Sequence, residues 1–136
     1  MKALGSVGFV AGLLAWACAG GSRTYAPNDP AVAPVTSQIV AFLNEYSSYG
    51  PDVAYQQLAP EVQATCSRAG FAQAMRDAAL PATLRRVKKV RFKDGQAVVD
   101  MTLITMKGDL DQTWTLNNTA TVWKVLALPG LENCKS

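Results

Sequence analysis

The sequence contains no histidine, and this absence narrows the chemistry open to the protein. A chain without imidazole has no Ser-His or Cys-His nucleophilic pair, and it lacks both the commonest metal ligand and the usual base at neutral pH. We therefore expect no catalytic residue, no metal site and no cofactor. Neither sign of charge strongly dominates the sequence. Its formal net charge is +3 over 136 residues, which is too small to indicate nucleic-acid binding by itself.

The sequence also lacks an apolar run long enough to cross a bilayer comfortably. The run from Ala3 to Ala17 follows Lys2 and has the length of a signal-peptide core. Ala15-Trp16-Ala17 matches the small-x-small pattern of a cleavage site. We therefore interpret residues 1–17 as a signal peptide, and we expect the protein to be exported.

Cysteine is rare, and the first of the three cysteines directly follows the predicted cleavage site. Small residues before Cys18 and Gly20-Gly21-Ser22 after it resemble the start of a bacterial lipoprotein, in which the cysteine becomes the lipidated N-terminus. In that interpretation, residues 18–34 are a flexible tether on the outer face of the plasma membrane, and the protein contacts the membrane only through Cys18. The alternative is an extracellular protein from which Cys18 is removed with the signal.

Two cysteines remain once Cys18 is lipidated or removed. An exported protein folds in an oxidising compartment, where thiols pair. We therefore predict a disulfide between Cys66 and Cys134, with two free structural thiols as the alternative. Such a bond would connect the helical half of the chain to the segment after the last strand.

The first half of the predicted domain, which covers residues 35–136, has the periodicity of helices. Apolar residues recur every three or four positions from Val35 to Tyr49, and Gly50-Pro51 ends the pattern. Shorter helices follow, of which one begins near Pro60 and another is capped by Ser67.

The second half alternates between apolar and polar residues, most clearly from Gln96 to Leu128. Asp94-Gly95 is a strong two-residue hairpin signal, and the register it implies places Lys89 opposite Asp100 as a cross-strand ion pair. Further turns are expected near Gly108-Asp109 and at Asn117-Asn118. If the last turn has four residues, two tryptophans lie directly opposite each other, namely Trp114 and Trp123.

Six basic residues lie close together on the first of these strands. They are Arg85, Arg86, Lys88, Lys89, Arg91 and Lys93. We favour a solvated outer face over a patch for anionic partners, since lysines on an outer strand also discourage aggregation. No aromatic residues alternate with these charges in the manner of single-stranded nucleic-acid sites, so we expect no nucleic-acid partner.

Helices followed by an antiparallel meander predict an α+β domain, in which N-terminal helices pack on the concave face of a curved four-stranded antiparallel sheet. The order of elements, Phe71 in the third helix and the ending DQTWTLNNTATVWKVLALPG resemble the nuclear transport factor 2-like superfamily. The signal, the Pro-rich segment and the cysteine pair are similar to small exported actinobacterial members. The resemblance implies a cone-shaped domain, often a homodimer through the outer sheet face. In ketosteroid isomerase-like members a pocket carboxylate works with a tyrosine, for which Tyr46 and Tyr55 are candidates.

Aromatic and methionine residues of the predicted inner face are candidates to line a cavity. They are Phe42, Tyr46, Phe71, Met75, Met101, Trp114 and Trp123. Our main hypothesis is a non-catalytic domain, exported or in the cell envelope, that binds a small apolar ligand or a protein partner. The alternatives are a structural or dimerisation module with a filled core and, third, an isomerase-like enzyme.

Overall fold

The computed structural model describes residues 23–76 and 78–135. The predicted signal peptide and Cys18 lie outside these residues. The secondary structure comprises five strands, four helices and three single-turn 3-10 segments. In chain order they are β1 (Arg23–Tyr25), a 3-10 turn (Pro30–Val32), α1 (Ala33–Tyr49), α2 (Pro51–Ala54), a 3-10 turn (Tyr55–Gln57), α3 (Pro60–Thr65), α4 (Arg68–Met75), β2 (Thr83–Lys93), β3 (Gln96–Thr105), β4 (Gly108–Thr119), β5 (Val122–Ala127) and a 3-10 turn (Leu131–Asn133).

Three helix boundaries lie where the sequence provides a signal, whereas α1 begins at Ala33 without a side-chain cap and α4 already ends at Met75. Gly50 ends α1 with a φ of 87°, a left-handed conformation that glycine adopts without strain. Pro60 occupies the first turn of α3, where its missing N–H costs no hydrogen bond. Ser67 caps α4, because its hydroxyl accepts a hydrogen bond from the Gly70 N–H at 2.9 Å.

The sheet is antiparallel throughout, and its strands lie in sequence order from β1 to β5. The α+β class is therefore confirmed. The register from the Asp94-Gly95 hairpin is also confirmed, since Phe92 pairs with Ala97 and Lys89 with Asp100. A hairpin that combines its preferred turn residues with a consistent apolar face has little freedom to slip.

The sheet has five strands, not the predicted four. The additional strand, β1, lies in the segment that the sequence predicted to be a flexible tether, and it pairs with the last part of β2. Tyr25 stacks edge-on against Phe92, with ring centroids 5.1 Å apart. Val32 is fully buried, so the folded domain begins well before residue 35.

Two bulges bend β2, and they explain an apolar spacing that does not fit a regular strand. Leu84, Val87 and Val90 recur every third residue, yet each pairs with an inward residue of β3. This is possible because Arg85 and Lys88 have no partner in the β3 register and are the extra residues of the bulges. Bulges of this kind curve a sheet.

The last hairpin turns later than the sequence predicted. Asn117 and Asn118 remain in β4, and the turn residues are Ala120 and Thr121, which have φ values of 50° and 67°. The Asn118 N–H donates to the Gly95 carbonyl of the neighbouring turn at 2.9 Å, which keeps it in the strand. Trp123 consequently pairs with Asn118, and the Trp114–Trp123 cross-strand pair that a four-residue turn would give does not form.

The structure brings Cys66 and Cys134 to disulfide-bonding distance, with their Cα atoms 5.4 Å apart. The bond would join the end of α3 to the segment after the last 3-10 turn. Within residues 23–76 and 78–135, no helix is both long enough and apolar enough to cross a bilayer.

Candidate functional site

Five of the seven predicted pocket residues form the centre of the core. Each is at most 1% exposed: Phe42, Phe71, Met75, Met101 and Trp114. Phe42 of α1 stacks edge-on against Trp114 of β4, with centroids 5.4 Å apart, and contacts the Phe71 ring at 6.3 Å. The four surface clefts found among the described residues contain none of the five in their linings.

The other two predicted pocket residues are only partly buried and pack at the edge of the core. Tyr46 is tilted against Phe42, with ring centroids 6.4 Å apart, and its burial raises the pKa of its phenol. Trp123 contacts Phe92 instead, at 5.8 Å, near the end of the sheet where β1 begins. The structure therefore brings five of the seven together and places Trp123 elsewhere.

The acidic residues of the strands lie on the outer face of the sheet. Asp100 pairs with Lys89 at 3.8 Å, as the hairpin register predicted, and it also accepts a hydrogen bond from Thr113 at 2.7 Å. Asp111 accepts a hydrogen bond from the Thr102 hydroxyl at 2.6 Å. That bond, with the ammonium of Lys88, holds the pKa of Asp111 below its usual value.

The arrangement that an isomerase-like site requires is not present among the described residues. Thr102 is their only buried polar or charged side chain, so none of their carboxylates lies in the core. The Tyr55 hydroxyl donates to the Cys66 carbonyl, which is a structural contact. The described residues also contain no cluster of acidic and cysteine side chains that would hold a metal ion.

The outer sheet face, expected as a dimerisation surface, is divided by charge. Ile104 is 38% exposed and Val122 is 47% exposed, but they lie at opposite ends of the sheet. Between them run the Lys89–Asp100 and Lys88–Asp111 ion pairs. Ile104 and Val122 are therefore not part of one continuous exposed patch.

A cleft of about 490 Å³ opens where the β3–β4 turn faces the segment that follows α4. We call it the hairpin cleft. Its lining residues are Arg76, Ala78, Ala79, Leu80, Pro81, Thr105, Met106 and Lys107. Met106 is 93% exposed, at the tip of a turn that contains two residues. The hairpin cleft thus combines an apolar wall with two cationic side chains.

The turn holds Met106 outward through hydrogen bonds of its own. The Thr105 hydroxyl donates to the Gly108 carbonyl at 2.7 Å and accepts from the Lys107 N–H at 3.1 Å. Gly108 has a φ of 112°, which favours glycine. The side chains of Arg76 and Lys107 form no ion pair with another described residue.

Sequence reasoning missed the hairpin cleft, although one signal was present. A two-residue hairpin turn usually carries Gly, Asn or Asp, and an apolar Met106 there has no local structural reason. The facing wall cannot be found from periodicity, because Ala78 to Pro81 lies in a connection between two elements.

The chain matches no protein-family model, no curated protein and no solved structure. The resemblance to the nuclear transport factor 2-like superfamily therefore stays a prediction from the order of elements and the sequence of the last two strands.

Proposed function

We propose that the protein is a non-catalytic interaction module of the cell envelope, exported by its signal peptide and anchored through a lipid on Cys18. In this proposal the hairpin cleft binds a protein partner through an exposed segment that is both apolar and acidic. The nuclear transport factor 2-like resemblance supplies a cone-shaped scaffold for this role.

The exposure of Met106 beside the hairpin cleft carries the proposal. Six large hydrophobic residues are exposed among those described, and Met106, at 93%, is the most exposed of them. Ile104 and Leu110 of the same hairpin are also exposed, on opposite faces of the sheet. A fully exposed apolar side chain that lines a cleft is suited to an interaction site.

The chemistry of the hairpin cleft defines the class of partner. Methionine adapts its flexible thioether to different apolar surfaces, so Met106 suits a peptide side chain better than a rigid small molecule. Arg76 and Lys107 at the rim would attract a carboxylate of the same segment. Leu80 and Pro81 provide a wall against which an extended chain packs.

The packing of the core supports this role over storage of a small apolar ligand. Phe42 contacts both Phe71 and Trp114 where a ligand would have to lie. The absence of a buried carboxylate among the described residues supports a non-catalytic role over an isomerase-like one. The packed core and the lack of a buried carboxylate among the described residues therefore both favour binding at the surface of the domain.

Selection of phage-displayed random peptides against the purified protein tests the proposal. We expect the selected peptides to share an acidic residue beside apolar ones, because these complement Lys107, Arg76 and Met106. The double variant Arg76→Glu with Lys107→Glu should weaken their binding more than tenfold, and Met106→Ala should weaken it several-fold. As a matched control, Tyr49→Ala removes a side chain that is 72% exposed on α1, and it should leave binding unchanged.

Two results would overturn the proposal. One is a set of selected peptides without acidic residues whose binding survives the Arg76→Glu, Lys107→Glu double variant. The other is concentration-dependent self-association that Met106→Ala abolishes, since a second copy of the chain would then occupy the hairpin cleft.

A further inference from the structure

We propose that the end of the sheet opposite the hairpin cleft is a docking surface for an anionic lipid bilayer. This inference rests on the proposed lipidation of Cys18, and it adds a second membrane contact, made by the folded domain itself. We call this surface the tryptophan end. It comprises the start of β1, the Asp94-Gly95 and Ala120-Thr121 turns, and the side chains of Phe92 and Trp123.

Only a short length of chain lies between the proposed anchor and the fold. Four residues separate Cys18 from Arg23, the first residue of β1. Even if fully extended, the chain from Cys18 to Arg23 spans at most about 18 Å. Arg23 pairs with Phe92, two residues from the Asp94-Gly95 turn. A lipid on Cys18 therefore keeps the tryptophan end close to the bilayer.

The direction of the strands separates the tryptophan end from the hairpin cleft. β3 runs from the tryptophan end to the hairpin cleft and contains 10 residues, so the two ends lie about 30 Å apart at ~3.3 Å per residue. With the tryptophan end on the bilayer, the hairpin cleft faces away from the membrane. A partner could then reach Met106 without competing with lipid.

The tryptophan end combines aromatic and basic side chains. Phe92 and Trp123 are partly buried, and they line a shallow cleft of about 260 Å³ together with Arg23 and Lys93. An aromatic ring with one apolar side and one polar edge suits the headgroup region of a bilayer, and arginine or lysine beside it contacts lipid phosphates. Aromatic residues beside arginine or lysine are common at membrane interfaces.

The charges of this end favour an anionic surface. Arg23, Arg91 and Lys93 are exposed, and none of them forms an ion pair with another described residue. Two carboxylates are nearby. Asp94 lies in the turn itself, and Glu61 accepts a hydrogen bond from the Asn117 side chain at 2.7 Å. Cations thus outnumber carboxylates here, which is the balance expected of a surface that approaches phosphatidylglycerol.

Fluorescence quenching by brominated lipids tests this orientation. Once the predicted signal peptide and its Trp16 are removed, the protein retains two tryptophans, and Trp114 is fully buried. With Cys66 and Cys134 paired, Cys18 is the only free thiol, so a maleimide lipid can attach it to vesicles of phosphatidylcholine and phosphatidylglycerol. We expect lipid brominated near the headgroup to quench the wild type, and Trp123→Phe to remove that quenching.

Two double variants change the net charge of the protein equally. They distinguish binding through the tryptophan end from a general effect of protein charge on vesicle binding. Arg23→Glu with Lys93→Glu should reduce the quenching several-fold. Arg76→Glu with Lys107→Glu, at the opposite end, should leave the quenching at the wild-type value. Vesicles of phosphatidylcholine alone should give weaker quenching than mixed vesicles.

The proposal is overturned if the wild type and Trp123→Phe are quenched equally, or if both double variants reduce quenching to the same extent. Because the maleimide lipid replaces the biological anchor, this result does not depend on processing of Cys18 in the cell. The mass of the protein extracted from bacterial membranes, compared with Cys18→Ser, tests lipidation separately. An unlipidated protein would overturn the anchoring part of the proposed function, while the quenching would still report on the tryptophan end.

Discussion

At the scale of single residues, the acidic side chains of the sheet have structural partners that explain their positions. Asp100, Asp109 and Asp111 each pair with a basic residue of β2 across the outer face. An acidic residue inside a strand of alternating apolar residues can indicate a catalytic base. For Asp100, the predicted cross-strand ion pair with Lys89 is enough to explain the position without a catalytic role. Surface pairs of this kind stabilise a protein by at most about 1 kcal/mol each.

We predict that Asp111 contributes to acid-sensitive stability. Its pKa is lowered in the folded protein, first by the Thr102 hydroxyl and then by Lys88. The stabilisation is therefore complete above the pKa of the unfolded chain and is lost as the pH falls through the lower folded value. Urea unfolding should show Asp111→Asn less stable than the wild type at neutral pH and equally stable in strong acid.

Asp94→Asn is the matched control for this prediction, since it removes the same charge from an exposed turn without an ion pair. Its effect on the urea midpoint should be small at both pH values. A constant difference in stability between Asp111→Asn and the wild type down to strong acid would contradict the prediction.

Replacing Phe42 tests how tightly the core is packed. Phe42 is fully buried between Phe71 and Trp114, so Phe42→Ala leaves a cavity and should cost about 3–5 kcal/mol of unfolding free energy. Tyr49→Ala, on an exposed position of the same helix, should change stability by less than about 0.5 kcal/mol. Chemical denaturation measures both. A cost below about 1 kcal/mol for Phe42→Ala would indicate a loosely filled interior.

At the scale of elements, the bulges of β2 explain how a strand with many basic residues can also place apolar residues in the core. Each bulge adds one basic residue, and both added side chains reach past β3 to an acid on β4. Arg85 contacts Asp109 at 2.9 Å, and Lys88 contacts Asp111 at 3.1 Å. The sequence predicts that the basic run forms a solvated outer face. The structure adds that two residues of this run form ion pairs with acids of β4.

Deleting Lys88 should be far more harmful than replacing it. The deletion removes the bulge, so either Val87 and Leu84 turn away from the core or the strand loses its register with β3. We expect the deletion to cost at least about 2 kcal/mol, the value of one buried aliphatic side chain. Lys88→Ala, which removes only the ion pair, should cost at most about 1 kcal/mol. Equal urea midpoints for the two variants would contradict the role of the bulge.

Local signals in the sequence predicted most of the elements, because their causes lie within a few residues. The register around Asp94-Gly95, the end of α1 at Gly50 and the cap at Ser67 are all of this kind. β1 could not be predicted, since three residues pair with a strand more than sixty positions away. The bulges were also hidden, because a spacing of three between Leu84 and Val87 fits neither a regular strand nor a complete helical stripe.

The candidate site was predicted only in part, for a related reason. Periodicity identified which aromatic residues face inward, and five of them do meet in the core. Whether inward residues fill a core or line a cavity depends on the curvature of the sheet, which the bulges determine. The hairpin cleft depends on how one connection packs beside one turn, so only the unusual Met106 could have indicated it.

At the scale of the whole molecule, the predicted Cys66–Cys134 disulfide would join the two halves of the chain. Cys66 follows α3 and Cys134 follows the last 3-10 turn, with a sequence separation of 68. In the chain-entropy model, closing a loop of this length stabilises the fold by about 4 kcal/mol. Cys66→Ala with Cys134→Ala should therefore lower the unfolding free energy by about that amount in urea. The same loss should appear when the wild type is reduced, and an unchanged midpoint after reduction would contradict it.

Methyl NMR of methionine tests the central claim most directly, because without the predicted signal peptide the protein has one surface methionine and two core methionines. Met106 is 93% exposed in the hairpin cleft, whereas Met75 and Met101 are at most 1% exposed beside the aromatic rings. Titration with a selected acidic, apolar peptide should shift the Met106 methyl signal and leave the two core signals in place. A small apolar molecule such as anilinonaphthalene sulfonate should likewise leave the core signals unchanged. Saturable shifts of Met75 and Met101 with an unmoved Met106 would instead show a ligand cavity inside the domain and contradict the account.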